Sequence, residues 1–518
     1  MLARINSAAT LGLDARVLDV EVDASGGVPR FTIVGLPDTG VREARERVRS
    51  ALKNCGFGLP GGAVTVNLAP ADFRKSGAAL DLPVAIGLAC LQGLKPSSAT
   101  RRVFVGELGL GGEVRPVRGA LCLALAARDG GFDEIVLPAE NASEAAAIGG
   151  IRVIPVAHLS TAIEHVAGAQ PIPPACAPAP APPGPPGPDF SEIRGQAIAR
   201  RAAEIAAAGG HHLLLTGPPG AGKTMLARRL AGILPPLTAP EAIEVTRIHS
   251  IAGALPPGSG LLAAPPFRAP HHGISSAGLV GGGPRPAPGE ASLAHRGILF
   301  LDELPEFRRD ALEAIRQPLE ERRLSVVRAQ AAAVFPCDVL LVAAMNPCPC
   351  GFLGDPRHPC ACAPRDRARY ARKLSGPLLD RIDLHVTMAA VPWKELARGG
   401  CSEDSAAMRL RVAAARRRAE ERRPAASGFR NADLTARELD RHCALDHAGL
   451  ALLEKSVARL GLSVRAVHRA LRVARTIADL AQSERVTTAH LSEAFSFRAP
   501  ALVSSCPNEQ VDSRGGPQ

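Results

Sequence analysis

Lys223 and Thr224 close the stretch GPPGAGKT, residues 217–224. This spacing suits a loop that holds phosphates. Gly217, Gly220 and Gly222 let the backbone turn its N–H groups inward, and Pro218, Pro219 and Ala221 complete the loop. Lys223 reaches the outer phosphates, and Thr224 offers its hydroxyl to Mg²⁺. An apolar strand at 212–216 and the helical KTMLARRLAGIL flank the loop, which favours ATP with Mg²⁺ over an ordinary glycine-rich turn. A helix starting there adds its positive end to the site.

Asp302 and Glu303 end the apolar run in GILFLDELPEF, residues 297–307. Asp302 is read as holding Mg²⁺ through water, and Glu303 as polarising the attacking water. An acidic helix cap is the alternative, disfavoured by the phosphate loop upstream. Asn346 ends a second buried strand in DVLLVAAMNPCPCG, where its amide can orient the water beside the γ-phosphate. Arg381 follows a short helix in LSGPLLDRIDLHV. It can reach a neighbouring subunit's γ-phosphate as a finger. An ion pair to Asp380 or Asp383 is the alternative, and both can hold. Arg465 and Arg469 lie one helical turn apart in SVRAVHRALRVAR. Either can close onto bound ATP.

Cys348, Cys350, Cys360 and Cys362 form two C-x-C pairs, and four thiolates can satisfy a tetrahedral Zn²⁺. One residue inside each pair is tighter than usual, and Pro347, Pro349 and Pro359 can set the bends. Cys337 and His358 are spare candidates. A loop of free thiols is the alternative.

These groups need a parallel sheet whose strand ends converge. Residues 190–395 alternate strands and helices and read as an α/β ATPase core. Residues 396–500 read as a helical lid and 501–518 as a disordered tail. PIPPACAPAPAPPGPPGP lies in a Pro-rich linker, residues 169–189, that can form neither helix nor ladder. It sets off an α+β unit at 1–168. A chain of 518 residues predicts about two to four domains. No apolar run reaches the ~18–20 residues of a membrane span, and no leader is evident. A cytoplasmic location without membrane contact is expected, with the 12 cysteines as thiols or metal ligands. Lys and Arg exceed Asp and Glu by 11, which permits a polyanionic partner.

The ordered parts resemble AAA+ ATPases, which usually act as rings. FRAPHHGISSAGLVGGG, PGEASLAHRGILFLDELPEF, MNPCPCGFLGD, RYARKLSGPLLDRIDLHV and VRAVHRALRVARTIADL resemble the magnesium-chelatase branch. Within it the chain resembles the ComM/YifB family over nearly its whole length. That resemblance implies a hexameric ATP-driven DNA motor that promotes branch migration while transforming DNA is integrated. A chelatase-type or chaperone-like ATPase acting on a protein partner is the alternative.

Residues 66–89 and 106–141 resemble the Lon proteolytic (S5-like) domain. Its serine position falls on Ala79 and its lysine position on Leu121, and neither can do that chemistry. Ser76 and Arg118 miss the motif. A proteolytically inactive domain is expected.

Residues 250–290 and a β-hairpin at 321–338 are expected to line the ring's pore. Arg268, His271, His272 and Arg285 are candidate phosphate contacts in the first, and Arg322, Arg323 and Arg328 in the second. The histidines can instead bind zinc or serve as structural hydrogen-bonders. With 3% aromatics there is little for base stacking. The DNA, single-stranded or branched, would be gripped electrostatically and without sequence preference.

Overall fold

A computed structural model describes the chain except residues 74, 76, 98–99, 178–187, 257, 284–285, 329–330, 392–402, 425–427 and 499–518. Arg285, Ser76, the middle of the Pro-rich linker and the expected tail therefore lie outside the described residues.

The first unit is built on a seven-stranded mixed sheet. In spatial order its strands are Arg30–Val34, Ala63–Ala69, Asp14–Ser25, Leu2–Leu11, Arg102–Phe104, Glu134–Pro138 and Arg152–Val156. Strand Asp14–Ser25 alternates, burying Leu18, Val20 and Val22, the period expected of a sheet with one face in a core. Helices Thr39–Asn54 and Asp81–Leu91 cover that face. Leu121 is fully buried in helix Ala120–Asp129. Ala79 occupies a turn, its carbonyl accepting from the Gly106 N–H at 2.8 Å.

The start of the Pro-rich segment is not free. Ile172 packs on the first unit's core, and the Ala175 N–H donates to the Val153 carbonyl at 2.7 Å. At its far end Asp189 accepts from the N–H groups of Ser191 (2.8 Å) and Ser405 (3.1 Å).

The second unit carries five parallel strands. Their spatial order is Phe267–Arg268, Ile298–Leu301, Leu340–Met345, Leu213–Thr216 and Leu384–Thr387. The strand that comes first in the chain lies between the fourth and the fifth. Strand order therefore reverses beside Leu213–Thr216, where α/β sheets open a ligand crevice at the strands' carboxyl ends. The central strands are wholly buried, so they read as continuous apolar runs.

The expected hairpin is present, Arg323–Arg328 pairing antiparallel with Ala331–Pro336. Helices Ser405–Glu421, Ala436–His442, His447–Leu460, Val464–Leu480 and Thr488–Ser496 form the C-terminal bundle. They share one core with the Leu213–Thr216 side of the sheet. The two units touch through helix Ala239–Ala252. Arg247 donates to the Leu13 carbonyl at 2.8 Å, and the Gly119 N–H donates to the Ser250 carbonyl at 3.1 Å. No helix among the described residues is long and apolar enough to cross a membrane.

Candidate nucleotide-hydrolysis site

The loop after Leu213–Thr216 reverses at Gly222, whose φ of +89° is a left-handed backbone that favours glycine. Helix Lys223–Ile233 begins at the next residue. Lys223 folds back over the loop. Its Nζ donates to the carbonyls of Gly217 (2.6 Å) and Pro218 (2.9 Å) and to Asn346 Oδ1 (3.0 Å). Burial lowers the Lys223 pKa, and the charges of Asp302 and Glu303 work against that shift. An ammonium whose hydrogen bonds go to neutral oxygens keeps its charge for an anion, and a phosphate fits.

Thr224 Oγ1 donates to Asp302 Oδ2 at 2.7 Å. These are the two groups read as sharing Mg²⁺, and a hard cation suits their oxygens. They meet because strand Ile298–Leu301 ends beside the phosphate loop, one strand removed from Leu213–Thr216. Asp302 Oδ1 accepts from the Glu303 N–H at 2.9 Å. Glu303 adopts φ +52°, uncommon for a residue with a side chain. Its carboxylate meets His272, whose Nδ1 lies 3.4 Å from Glu303 Oε2. Sequence reasoning placed His272 among DNA contacts and missed this pairing. The available signal was position: the His-His pair follows Phe267–Arg268, whose neighbour in the sheet leads into Asp302 and Glu303. Gln196 was missed as well, and donates to the carbonyls of Ala221 (3.2 Å) and Ala389 (2.6 Å).

The arginines stand apart from this cluster. Arg381 pairs with Glu320 at 2.5 Å and donates to the Pro377 carbonyl. Neither Asp380 nor Asp383 is its partner. Asp383 instead faces His211 (3.5 Å), Arg469 (3.7 Å) and Arg498 (3.7 Å). Arg469 is thus tied to the sheet, whereas Arg465 is exposed in the first turn of Val464–Leu480 and makes no ion pair among the described residues.

The sulfurs of Cys348, Cys350, Cys360 and Cys362 all lie within 4.8 Å of one another. Cys348 and Cys350 are 3.3 Å apart, and each is 3.6 Å from Cys360. A tetrahedral zinc site with Zn–S bonds of about 2.3 Å spaces its sulfurs by about 3.8 Å, so the donor set fits zinc. The spare candidates are not in the group. Cys337 is buried with its thiol on the Ala291 carbonyl, and His358 tilts against the Phe352 ring. A Cβ at Gly351 would meet the Pro219 side chain at 2.6 Å, so the cysteine loop packs on the phosphate loop.

Two of the expected DNA contacts are committed elsewhere. Arg268 makes a bidentate pair with Glu290 at 2.6 and 2.7 Å. Arg322 pairs with Asp433 and approaches Asp338 at 3.7 Å. Arg323 stays exposed in the hairpin. Arg411, in helix Ser405–Glu421, and Arg422, just after it, pair with Glu204 and Asp479.

Three family models cover most of the chain. Magnesium chelatase, subunit ChlI, matches residues 189–396; subunit ChlI of Mg-chelatase matches 20–141; and the ChlI C-terminal model matches 402–498. The chain is 43% identical over 501 residues to the uncharacterized protein YifB of Salmonella typhimurium, covering 96% of this chain and 97% of that one. It is 43% identical over 504 residues to the competence protein ComM of Haemophilus influenzae, covering 96% and 97%. An uncharacterized Mycobacterium tuberculosis protein is likewise 43% identical over 505 residues, covering 96% and 98%. A magnesium-chelatase-like AAA+ core with this phosphate loop supports an ATPase. This chain belongs to the ComM/YifB family.

Proposed function

We propose that this chain is an ATP-driven DNA motor that works as a ring of identical subunits, a hexamer, and drives branch migration of single-stranded or branched DNA. The observation that carries the hydrolytic half is the convergence of Lys223 and Thr224 with Asp302 and Asn346. Bound Mg²⁺ would neutralise charge developing on the phosphates. Thr224 and Asp302 would hold it, Lys223 would hold the outer phosphates, and Asn346 and Glu303 would position and polarise water. Among the described residues, Arg381 and Arg465 form no hydrogen bond or ion pair with this cluster, which suits groups that meet ATP across a subunit boundary or as the lid moves. The DNA half is supported by full-length likeness to a relative named a competence protein, by the net charge of +11 and by the hairpin carrying Arg323.

The four cysteines hold a structural zinc in this reading, bracing the phosphate loop through Gly351. The 1–168 unit is a Lon-like domain without peptidase chemistry. A labelled four-way junction tests the motor directly. Branch migration should need hydrolysable ATP and vanish in Lys223→Ala; a junction left unmoved by the wild-type chain contradicts it. The ChlI family matches favour a second reading, an ATPase that remodels a protein partner. It predicts turnover indifferent to DNA.

A further inference from the structure

One turn of the first unit touches both parts read as gripping DNA. Strands Leu2–Leu11 and Asp14–Ser25 pair with Leu11 opposite Asp14, which leaves Gly12 and Leu13 as the turn. On one side it meets the 323–336 hairpin. Gly12 has φ +64°, and a Cβ there would stand 3.1 Å from the Ala333 Cβ, so the bare glycine lets the turn come close. The Leu13 side chain packs on the core that holds Leu324, Val326, Ala333 and Phe335. On the other side the turn meets helix Ala239–Ala252, which runs into the 250–290 segment. Arg247 of this helix donates to the Leu13 carbonyl at 2.8 Å and to Asp14 Oδ1 at 3.1 Å. The end of the helix has a second foothold. The Gly119 N–H donates to the Ser250 carbonyl at 3.1 Å, and a Cβ at Gly119 would come within 2.7 Å of Ile251 and 2.9 Å of Thr10. The hairpin and the 250–290 segment also touch each other, since a Cβ at Gly281 would lie 3.5 Å from a Val326 methyl. Three stretches far apart in sequence thus meet at one joint.

We propose that Leu13 and Arg247 are positioning residues for the DNA grip, and that through them the 1–168 unit sets how strongly DNA drives ATP turnover. This rests on the reading of the hairpin and the 250–290 segment as DNA contacts. A two-stranded hairpin is marginally stable by itself, so it takes its rigidity from what it packs on. The Gly12–Leu13 turn supplies part of that support from outside the ATPase core. Through Arg247 the same turn holds the helix that leads into the 250–290 segment, so the two DNA-contacting parts move together. Among the described residues, neither Leu13 nor Arg247 forms a hydrogen bond or ion pair with Lys223, Thr224, Asp302 or Glu303. Basal hydrolysis and its response to DNA are then separable.

The test uses the full-length protein, measuring amide hydrogen exchange, basal ATP turnover and turnover with single-stranded DNA. Arg247→Ala opens the joint from the second unit, and Leu13→Ser opens it from the first. Each should speed exchange across residues 323–336 about tenfold, the scale of losing one hydrogen bond from a charged donor. Exchange in strands Ala63–Ala69 and Glu134–Pro138, and basal turnover, should stay within about twofold of wild type, because the opening is local. Stimulation by DNA should fall by about half or more, since coupling is carried through packed contacts. If Leu13→Ser loosens the first unit itself, strand Ala63–Ala69 exchanges fast and Arg247→Ala decides alone. Hairpin exchange in Arg247→Ala that matches wild type overturns the proposal. So does a loosened hairpin with undiminished DNA stimulation, or exchange in Arg247→Ala that speeds up throughout the first unit, the mark of general destabilisation. Wild-type turnover indifferent to DNA refutes the DNA reading instead, and the exchange measurement still decides whether the joint seats the hairpin.

Discussion

Lys223 Nζ and Asn346 Oδ1 lie 3.0 Å apart, although 123 residues separate them. The ammonium joins the loop after one strand to the end of the strand beside it. Those strands pair in parallel, Thr216 opposite Met345, so the groups that follow each are brought to the same edge.

Replacing Lys223 by Ala should reduce ATP turnover about a hundredfold or more, the scale of losing a preorganised charge-stabilising donor. Secondary structure should be unchanged by circular dichroism, since the side chain caps a loop and packs in no core. Turnover above a tenth of wild type would contradict its assignment.

Glu303→Gln should keep the shape of the site and lose its base. Hydrolysis should fall about 10²- to 10⁴-fold, while ATP stays bound and holds any ring together on a sizing column. Unchanged hydrolysis would remove Glu303 from the chemistry.

The cysteine quartet predicts one zinc per chain by elemental analysis, and Cys360→Ser should lose it. Because a structural metal contributes to folding free energy, chelation should lower the melting temperature. A zinc-free protein with the same melting temperature would leave a loop of free thiols.

Asp338 lies beneath the sheet facing Arg430 (2.5 Å), Arg296 (3.1 Å) and Arg322 (3.7 Å). Burial works to raise its pKa, but these guanidiniums outweigh burial and hold the carboxyl well below its usual range. A folded-state pKa below the unfolded value stabilises the fold above the unfolded pKa of about 3.9. That stability is lost as pH falls below it. Asp338→Ala should cost about 1–3 kcal/mol, because it removes the buried acceptor that Arg430, Arg296 and Arg322 share, while Asp433, Glu241 and Glu244 still pair with them. Acid titration of the melting temperature should fall less steeply in the variant; an identical slope would show that other carboxylates carry the acid sensitivity.

Arg381→Ala should bind ATP normally and hydrolyse it slowly. If the arginine acts across a subunit boundary, mixing Arg381→Ala with Lys223→Ala subunits should recover activity, because some interfaces then join an intact Lys223 site to an intact Arg381. No recovery at any ratio would place Arg381 in the Glu320 pair alone.

The phosphate loop, its strand and helix, the 323–336 hairpin and the cysteine quartet were legible because each is local. Gly222, Lys223 and Thr224 are neighbours, and C-x-C pairs advertise themselves. Partners across the fold were not legible. Nothing in the sequence says that Arg381 should choose Glu320 over Asp380 or Asp383, since a short helix turns it away from both. His272, next to His271 in the sequence, read as a DNA contact, a zinc ligand or a structural hydrogen-bonder, with nothing local to choose among them. Only the sheet order sets it against Glu303. Likewise Arg268 and Arg322 read as free cations until Glu290 and Asp433 arrived from distant segments.

The central claim is that hydrolysis at this site serves DNA. The most direct test is ATP turnover by the purified chain at low and moderate salt, with Lys223→Ala as blank. It is run without DNA and with single strands, duplex and a branched junction. The account predicts strong stimulation by single strands or junctions that weakens as salt rises, because the contacts are to phosphates. Robust turnover indifferent to every DNA would contradict it and move the substrate to a protein partner.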